Sequence, residues 1–119
     1  MKRKIIIGTI GDLHGKDSWK NIIENNPQVQ KWVFTGDYVD DFMISDADMF
    51  ENLNNVIDYK KKNPDNIILL WGNHEQHYLF VNPQYHCSGF RISMFPIIHQ
   101  TLNGNKKLFQ YAFQYKDHI

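Results

Sequence analysis

Three short stretches carry most of the side chains that could do chemistry: "GDLHG" at 11–15, "GDYVD" at 36–40 and "GNHE" at 72–75. Between them they place Asp12, His14, Asp37, Asp40, Asn73, His74 and Glu75 immediately after apolar runs. Aspartate, histidine and asparagine together offer oxygen and nitrogen donors. That set suits a borderline divalent metal such as Mn, Fe, Zn, Co or Ni, whereas calcium prefers oxygens alone. One carboxylate set between two cations can bridge them, and two-metal sites of this kind serve phosphate-ester hydrolysis. Such metals neutralise phosphoryl oxygens and make a water more acidic, and a histidine can then protonate the departing alkoxide. A single Gly-Asp pair is ordinary turn chemistry. Three clusters in order, each directly after an apolar run and each bearing a potential ligand, point to a site.

The elements between the clusters must bring them together. Lys4 to Ile10, Lys31 to Thr35 and Asn66 to Trp71 read as short strands, the first β-branched and non-alternating, as in a sheet covered on both faces. Asp17 or Ser18 can cap a short helix that places Trp19, Ile22 and Ile23 on one side and stops before Pro27. Ser45-Asp46-Ala47-Asp48 resembles a capping box, with Met49, Phe50, Leu53, Val56 and Ile57 following at helical spacing. Strand, helix, strand, helix, strand is a βαβαβ unit, so the fold class is α/β with a mostly parallel sheet, right-handed crossovers and flanking helices. The carboxyl ends of parallel strands share one edge, where ligands bind. All three clusters should meet there. Beyond Gln76 a helical tail spans about 88–115: Arg91 to Leu102, limited by Pro96, then Asn105 to Tyr115 with Leu108, Phe109, Ala112 and Phe113 on one side. Lys116 to Ile119 would begin a fourth strand.

Composition narrows the alternatives. The 119 residues suffice for one domain, read as 1–119 with a motif core at 4–80. No apolar run approaches a membrane span, and Ile5-Ile6-Ile7 is too short for a signal-peptide core. Cys87 is the single cysteine, so no internal disulfide forms, and a cytoplasmic location is expected. The formal charge is zero, and the stretch from Gly36 to Tyr59 holds seven acidic residues without a Lys or Arg. Such a stretch repels nucleic-acid backbones and attracts cations. Asp46, Asp48, Glu51 and Asp58 read as a solvated helix face.

On these motifs the sequence resembles the calcineurin-like metallophosphoesterase superfamily, over about residues 4–80. It looks closest to the branch of serine/threonine phosphoprotein phosphatases and dinucleoside tetraphosphatases. The resemblance implies that Asp12 and His14 ligate a first metal, Asp37 bridges two, and Asn73 ligates the second. It implies that His74 is the proton donor or transition-state stabiliser, with Asp40 and Glu75 orienting His74 or a ligand. The cofactors implied are two divalent transition metals, and the partner is a phosphate-ester substrate.

Two departures accompany the resemblance. The phosphoprotein phosphatase branch carries an arginine directly after its second motif, where this chain has Asp41. The superfamily also uses three later histidines, two of them in a "GH-x-H" motif that this chain lacks; His77, His86, His99 and His118 stand in no such motif. The chain therefore reads as the first half of a four-layer α/β/β/α sandwich, truncated and weakly active by itself. The alternative is an inactive remnant or interaction module that keeps part of a metal site. A half-sandwich exposes a sheet face, which a second copy or the tail helices would cover.

Overall fold

The computed structural model describes residues 5–11, 13–14, 17–40, 43–79 and 91–113, with the side chains of Asn73, Gln76, His77 and Ile92 outside that set. Among the described residues four parallel strands form one sheet in the order β1-β2-β3-β4. They are β1 (Ile7–Ile10), β2 (Lys31–Phe34), β3 (Ile67–Leu70) and β4 (Phe109–Gln110). Helix α1 (Trp19–Glu24) joins β1 to β2, and α2 (Asp46–Lys62) joins β2 to β3. Helices α3 (Asn73–Leu79) and α4 (Phe95–Gly104) precede β4. The α/β class with a parallel sheet and flanking helices is what the strand–helix alternation implies. Among the described residues no helix is long and apolar enough to cross a membrane.

The register puts Gly8 beside Trp32 and Ile67, and Ile10 beside Phe34 and Leu69. Period-two alternation sets these side chains on one face, and all but the glycine belong to the main core cluster. Trp19 of α1, Met49, Leu53, Val56 and Ile57 of α2, Tyr78 of α3, and Ile98 and Leu102 of α4 join the same cluster. The opposite face carries Thr9, Val33 and Ile68, of which Thr9 is exposed. Strand β1 is thus not covered on both sides as its unbroken apolar run suggests. Among the described residues it pairs with β2 alone, and Ile5 and Ile6 just before it are 41% and 45% exposed.

The helix boundaries have local causes. Ser45 Oγ accepts the Asp48 N–H at 3.2 Å, which satisfies one free donor at the start of α2. At the other end Lys60 Nζ donates to the Pro64 and Ile67 carbonyls, folding the chain back into β3. Pro96 does not kink a helix begun at Arg91. A 3₁₀ turn occupies Ile92–Met94, and α4 starts at Phe95, so the proline stands in the first turn, where its missing N–H costs nothing.

The expected helix from Asn105 to Tyr115 is not present over the described part of that range. Lys106–Leu108 form a 3₁₀ turn and Phe109–Gln110 become the fourth strand. The helical spacing of Leu108, Phe109 and Ala112 is overridden by the open edge of β3. There the Trp71 N–H donates to the Gln110 carbonyl at 3.0 Å, and Phe109 stacks on Trp71 with ring centroids 4.4 Å apart. The fourth strand therefore comes earlier than Lys116–Ile119, a segment outside the described residues.

Candidate functional site

The loops after β1, β2 and β3 meet at the carboxyl edge of the sheet and are bonded to one another. The His14 N–H donates to the Asp37 carbonyl at 2.8 Å, tying the first loop to the second. The His74 N–H donates to Asp37 Oδ1 at 3.0 Å, tying the third to the second. Glu75 completes the join. Its Oε1 accepts the N–H groups of Asp37 at 2.7 Å and Gly72 at 3.0 Å, and its Oε2 accepts that of Tyr38 at 2.9 Å. Glu75 thus grips the backbone of both loops, where the resemblance implied a partner for His74 or a ligand. It is fully buried, and burial pushes its pKa up to about 8 although the three N–H donors pull it down.

The residues between the motif positions anchor these loops. Leu13 of "GDLHG" and Tyr38 and Val39 of "GDYVD" are buried in the core. Tyr38 further donates its hydroxyl to the Leu70 carbonyl at 2.7 Å. The backbone accommodates this with left-handed conformations at His14 (φ 46°), Asp37 (φ 58°) and Asp40 (φ 72°). Aspartate and histidine tolerate this region better than most residues, yet each such position costs on the order of 1 kcal/mol. The three non-glycine residues of this kind among those described are all candidate site residues. The two glycines that lead the second and third clusters let the loops touch. Gly36 has φ 103°, and a Cβ there would run into the backbone of Gly72. A Cβ on Gly72 would collide with Asp37 N and Oδ1.

Two imidazoles meet where these loops join, edge to face, with ring centroids 4.7 Å apart and an interplanar angle of 88°. His14 Nδ1 lies 3.0 Å from the Val39 carbonyl, which can only accept. Nδ1 therefore bears the proton, and in the neutral ring Nε2 keeps a lone pair, the form a metal-ligating histidine takes. His74 Nδ1 lies 3.1 Å from Asp40 Oδ2. Asp40 is itself held: its Oδ1 accepts the Tyr78 hydroxyl, and its N–H points to Met49 Sδ at 3.1 Å. Tyr78 takes the Arg91 N–H at 3.1 Å on its hydroxyl oxygen, so its own proton is committed to Asp40. Burial and the Asp40 carboxylate both raise the Tyr78 pKa, keeping that proton in place.

Of the predicted site residues the structure brings together His14, Asp37, Asp40, His74 and Glu75. Asp12 lies outside the described residues; Asn73 opens α3, with its side chain likewise outside. Among the described residues no three His, Cys, Asp or Glu side chains form a complete metal-ligand set. The tautomer of His14 and the carboxylate of Asp37, whose backbone carbonyl takes the His14 N–H, are nonetheless donor types that suit a divalent metal. Tyr78 and Arg91 were missed by sequence reasoning. The spacing of His74 and Tyr78, four apart on one helix, is the signal that could have found the tyrosine. His99 donates from Nδ1 to the Tyr78 carbonyl at 2.7 Å and stacks on Phe95, a packing role. His86 and His118 are outside the described residues.

The family model for calcineurin-like phosphoesterases matches residues 5–116. The chain belongs to the calcineurin-like phosphoesterase family. Members hydrolyse phosphate esters and generally bind divalent metals. The match extends well past "GNHE" and takes in α4 and β4, so the family pattern includes the segment read from sequence as a tail. No curated relative matches the chain.

Proposed function

We infer that this phosphoesterase is a metal-dependent hydrolase of a phosphate ester, with Asp12, His14, Asp37 and Asn73 as the groups that would hold its metals. The observation that carries the reading is the convergence of His14, Asp37 and the His74–Asp40 pair from three separate strand ends. Bound divalent metals would supply charge neutralisation for the phosphoryl oxygens and a more acidic water.

The chain's own residues account for the rest. Asp37 has one carboxylate oxygen committed to the His74 N–H, which fixes the side chain's orientation. His14 is turned by Val39 so that its Nε2 is the free donor. Asp40 accepts from His74 Nδ1 and so fixes the orientation of the ring, with Nε2 as the atom that would give a proton to the departing oxygen. Tyr78 fills the other oxygen of Asp40, so that carboxylate is an acceptor on both sides and does not rotate away from His74.

Calorimetric titration with manganese tests the reading, together with turnover of an aryl phosphate. Saturable binding that is lost in Asp37→Ala is expected. No binding, or equal binding by the variant, refutes the metal site. Binding without turnover favours the inactive reading.

A further inference from the structure

We propose that Arg91 is a positioning residue for His74, acting through the Tyr78 hydroxyl and Asp40; as a role in proton donation this rests on the hydrolase reading. His74 Nδ1 lies 3.1 Å from Asp40 Oδ2, and Asp40 Oδ1 accepts the Tyr78 hydroxyl. The chain of bonds does not end at the phenol. The Arg91 N–H donates to Tyr78 Oη at 3.1 Å, across 13 positions of sequence. A phenol oxygen that accepts an N–H becomes a better donor itself, because bonds in such a chain polarise one another. Tyr78 is fully buried and Asp40 is 5% exposed, so bulk water does not substitute for these bonds.

The Arg91 N–H is held in place by the rest of its own residue. Nη1 donates to Asp46 Oδ1 at 2.6 Å and Nη2 to the Ile44 carbonyl at 2.7 Å. The Arg91 carbonyl accepts the Met94 N–H at 3.0 Å. The residue is thus pinned at its N–H, its C=O and its guanidinium. An ion pair with half-exposed Asp46 is by itself worth little, since solvent screens it. Its use lies in where it sits. Asp46 opens α2, and Ile44 comes four residues after Asp40. Arg91 therefore fastens the segment that follows the second motif to the tyrosine that steadies that motif's last carboxylate. A guanidinium that only anchored a loop would not require the N–H of the same residue to land on a phenol.

The leaving group separates this role from a structural one. A proton donor matters most when the departing oxygen is strongly basic, as from ethyl phosphate, and least for para-nitrophenyl phosphate, whose phenolate leaves readily unprotonated. With the manganese-loaded protein, Arg91→Gln should lower kcat for ethyl phosphate about three-fold more than for para-nitrophenyl phosphate, at unchanged KM. Asp46→Ala breaks the same tie from the other end and should act in the same direction, which keeps the test open if Arg91→Gln folds poorly. In a Tyr78→Phe background neither change should alter the ratio of the two rates further. Equal losses on both esters, or a change of ratio that persists undiminished in Tyr78→Phe, overturn the proposal.

A second readout needs neither metal nor turnover. In the ¹⁵N-labelled, metal-free chain the neutral His74 ring should carry its proton on Nδ1. Arg91→Gln, Asp46→Ala and Tyr78→Phe should each bring in the Nε2–H tautomer. Ring-nitrogen signals identical to those of the unsubstituted chain overturn the proposal. Signals that respond as expected, in a chain that turns over neither ester, sink the hydrolase reading and leave the positioning of His74 by Arg91 standing.

Discussion

Replacing Glu75 with glutamine isolates the contest between burial and hydrogen bonding that holds the site loops together. Glu75 is 0% exposed, its carboxylate accepts three backbone N–H groups, and its pKa rises from 4.5 to about 8. A folded-state pKa above the unfolded value means that the folded chain keeps a proton that the unfolded chain has released. The stabilising contribution is therefore full below about pH 4.5 and is lost as pH rises towards 8, at up to about 1.4 kcal/mol per pH unit. Across the whole window that amounts to about 5 kcal/mol at most. Glutamine does not ionise, so Glu75→Gln lacks this slope. It has its own fixed cost. The amide oxygen can serve Asp37 and Gly72, but the NH₂ group then faces the Tyr38 N–H, an unmet donor worth about 1–3 kcal/mol. The variant should thus be the less stable protein at pH 5, and the gap should close or reverse by pH 8.5. Urea unfolding followed by tryptophan fluorescence, in chelator and at steps from pH 5 to 9, reads the difference; other titrating groups cancel in it. Parallel curves would refute the reasoning, because they would mean that the three N–H groups outweigh burial and that Glu75 ionises in the fold at an ordinary pH.

Three further outcomes follow from the geometry. Gly72→Ala drives a methyl group into Asp37 N and Oδ1, so it should cost about 1–3 kcal/mol and weaken manganese binding in calorimetry; an unchanged Tm and affinity would mean the two loops have room to part. Asp40→Asn should leave the circular dichroism unchanged while reducing kcat about 10–100-fold, since the residue acts by orienting His74; a change confined to KM would contradict that role. Phe109→Ala removes the ring stacked on Trp71 and should lower stability by about 3–5 kcal/mol in a denaturant melt, a loss that an exposed helical Phe109 would not produce.

Much of the site was legible because its chemistry is local. The first ligand-type side chain comes two or three residues after each of the first three strands, and parallel strands of similar length must present those ends together. The α2 cap at Ser45 and the buried positions Met49, Leu53, Val56 and Ile57 were legible for the same reason: capping and helical spacing act within a turn or two. What was not legible depends on distant partners. Phe109 has helical neighbours in sequence, yet the edge of β3 and the Trp71 ring decide its conformation. The four-residue spacing of His74 and Tyr78 points to the tyrosine, but not to Asp40, 38 positions earlier, as the acceptor of its proton.

The motifs themselves divide along this line. The positions that can do chemistry announce themselves by type, but those that aim them are apolar and look interchangeable. Leu13, Tyr38 and Val39 sit in the core, while His14, Asp37 and Asp40 beside them take left-handed backbone conformations. Burying the spacer residues fixes where the backbone must turn, and the turn fixes which way the ligand-type residues face. Glu75 then locks that arrangement from beneath through N–H groups alone, without touching either imidazole by any hydrogen bond described. A substitution at Tyr38 or Glu75 should therefore damage the site as surely as one at Asp37, but through the position of the loops and not through the loss of a donor.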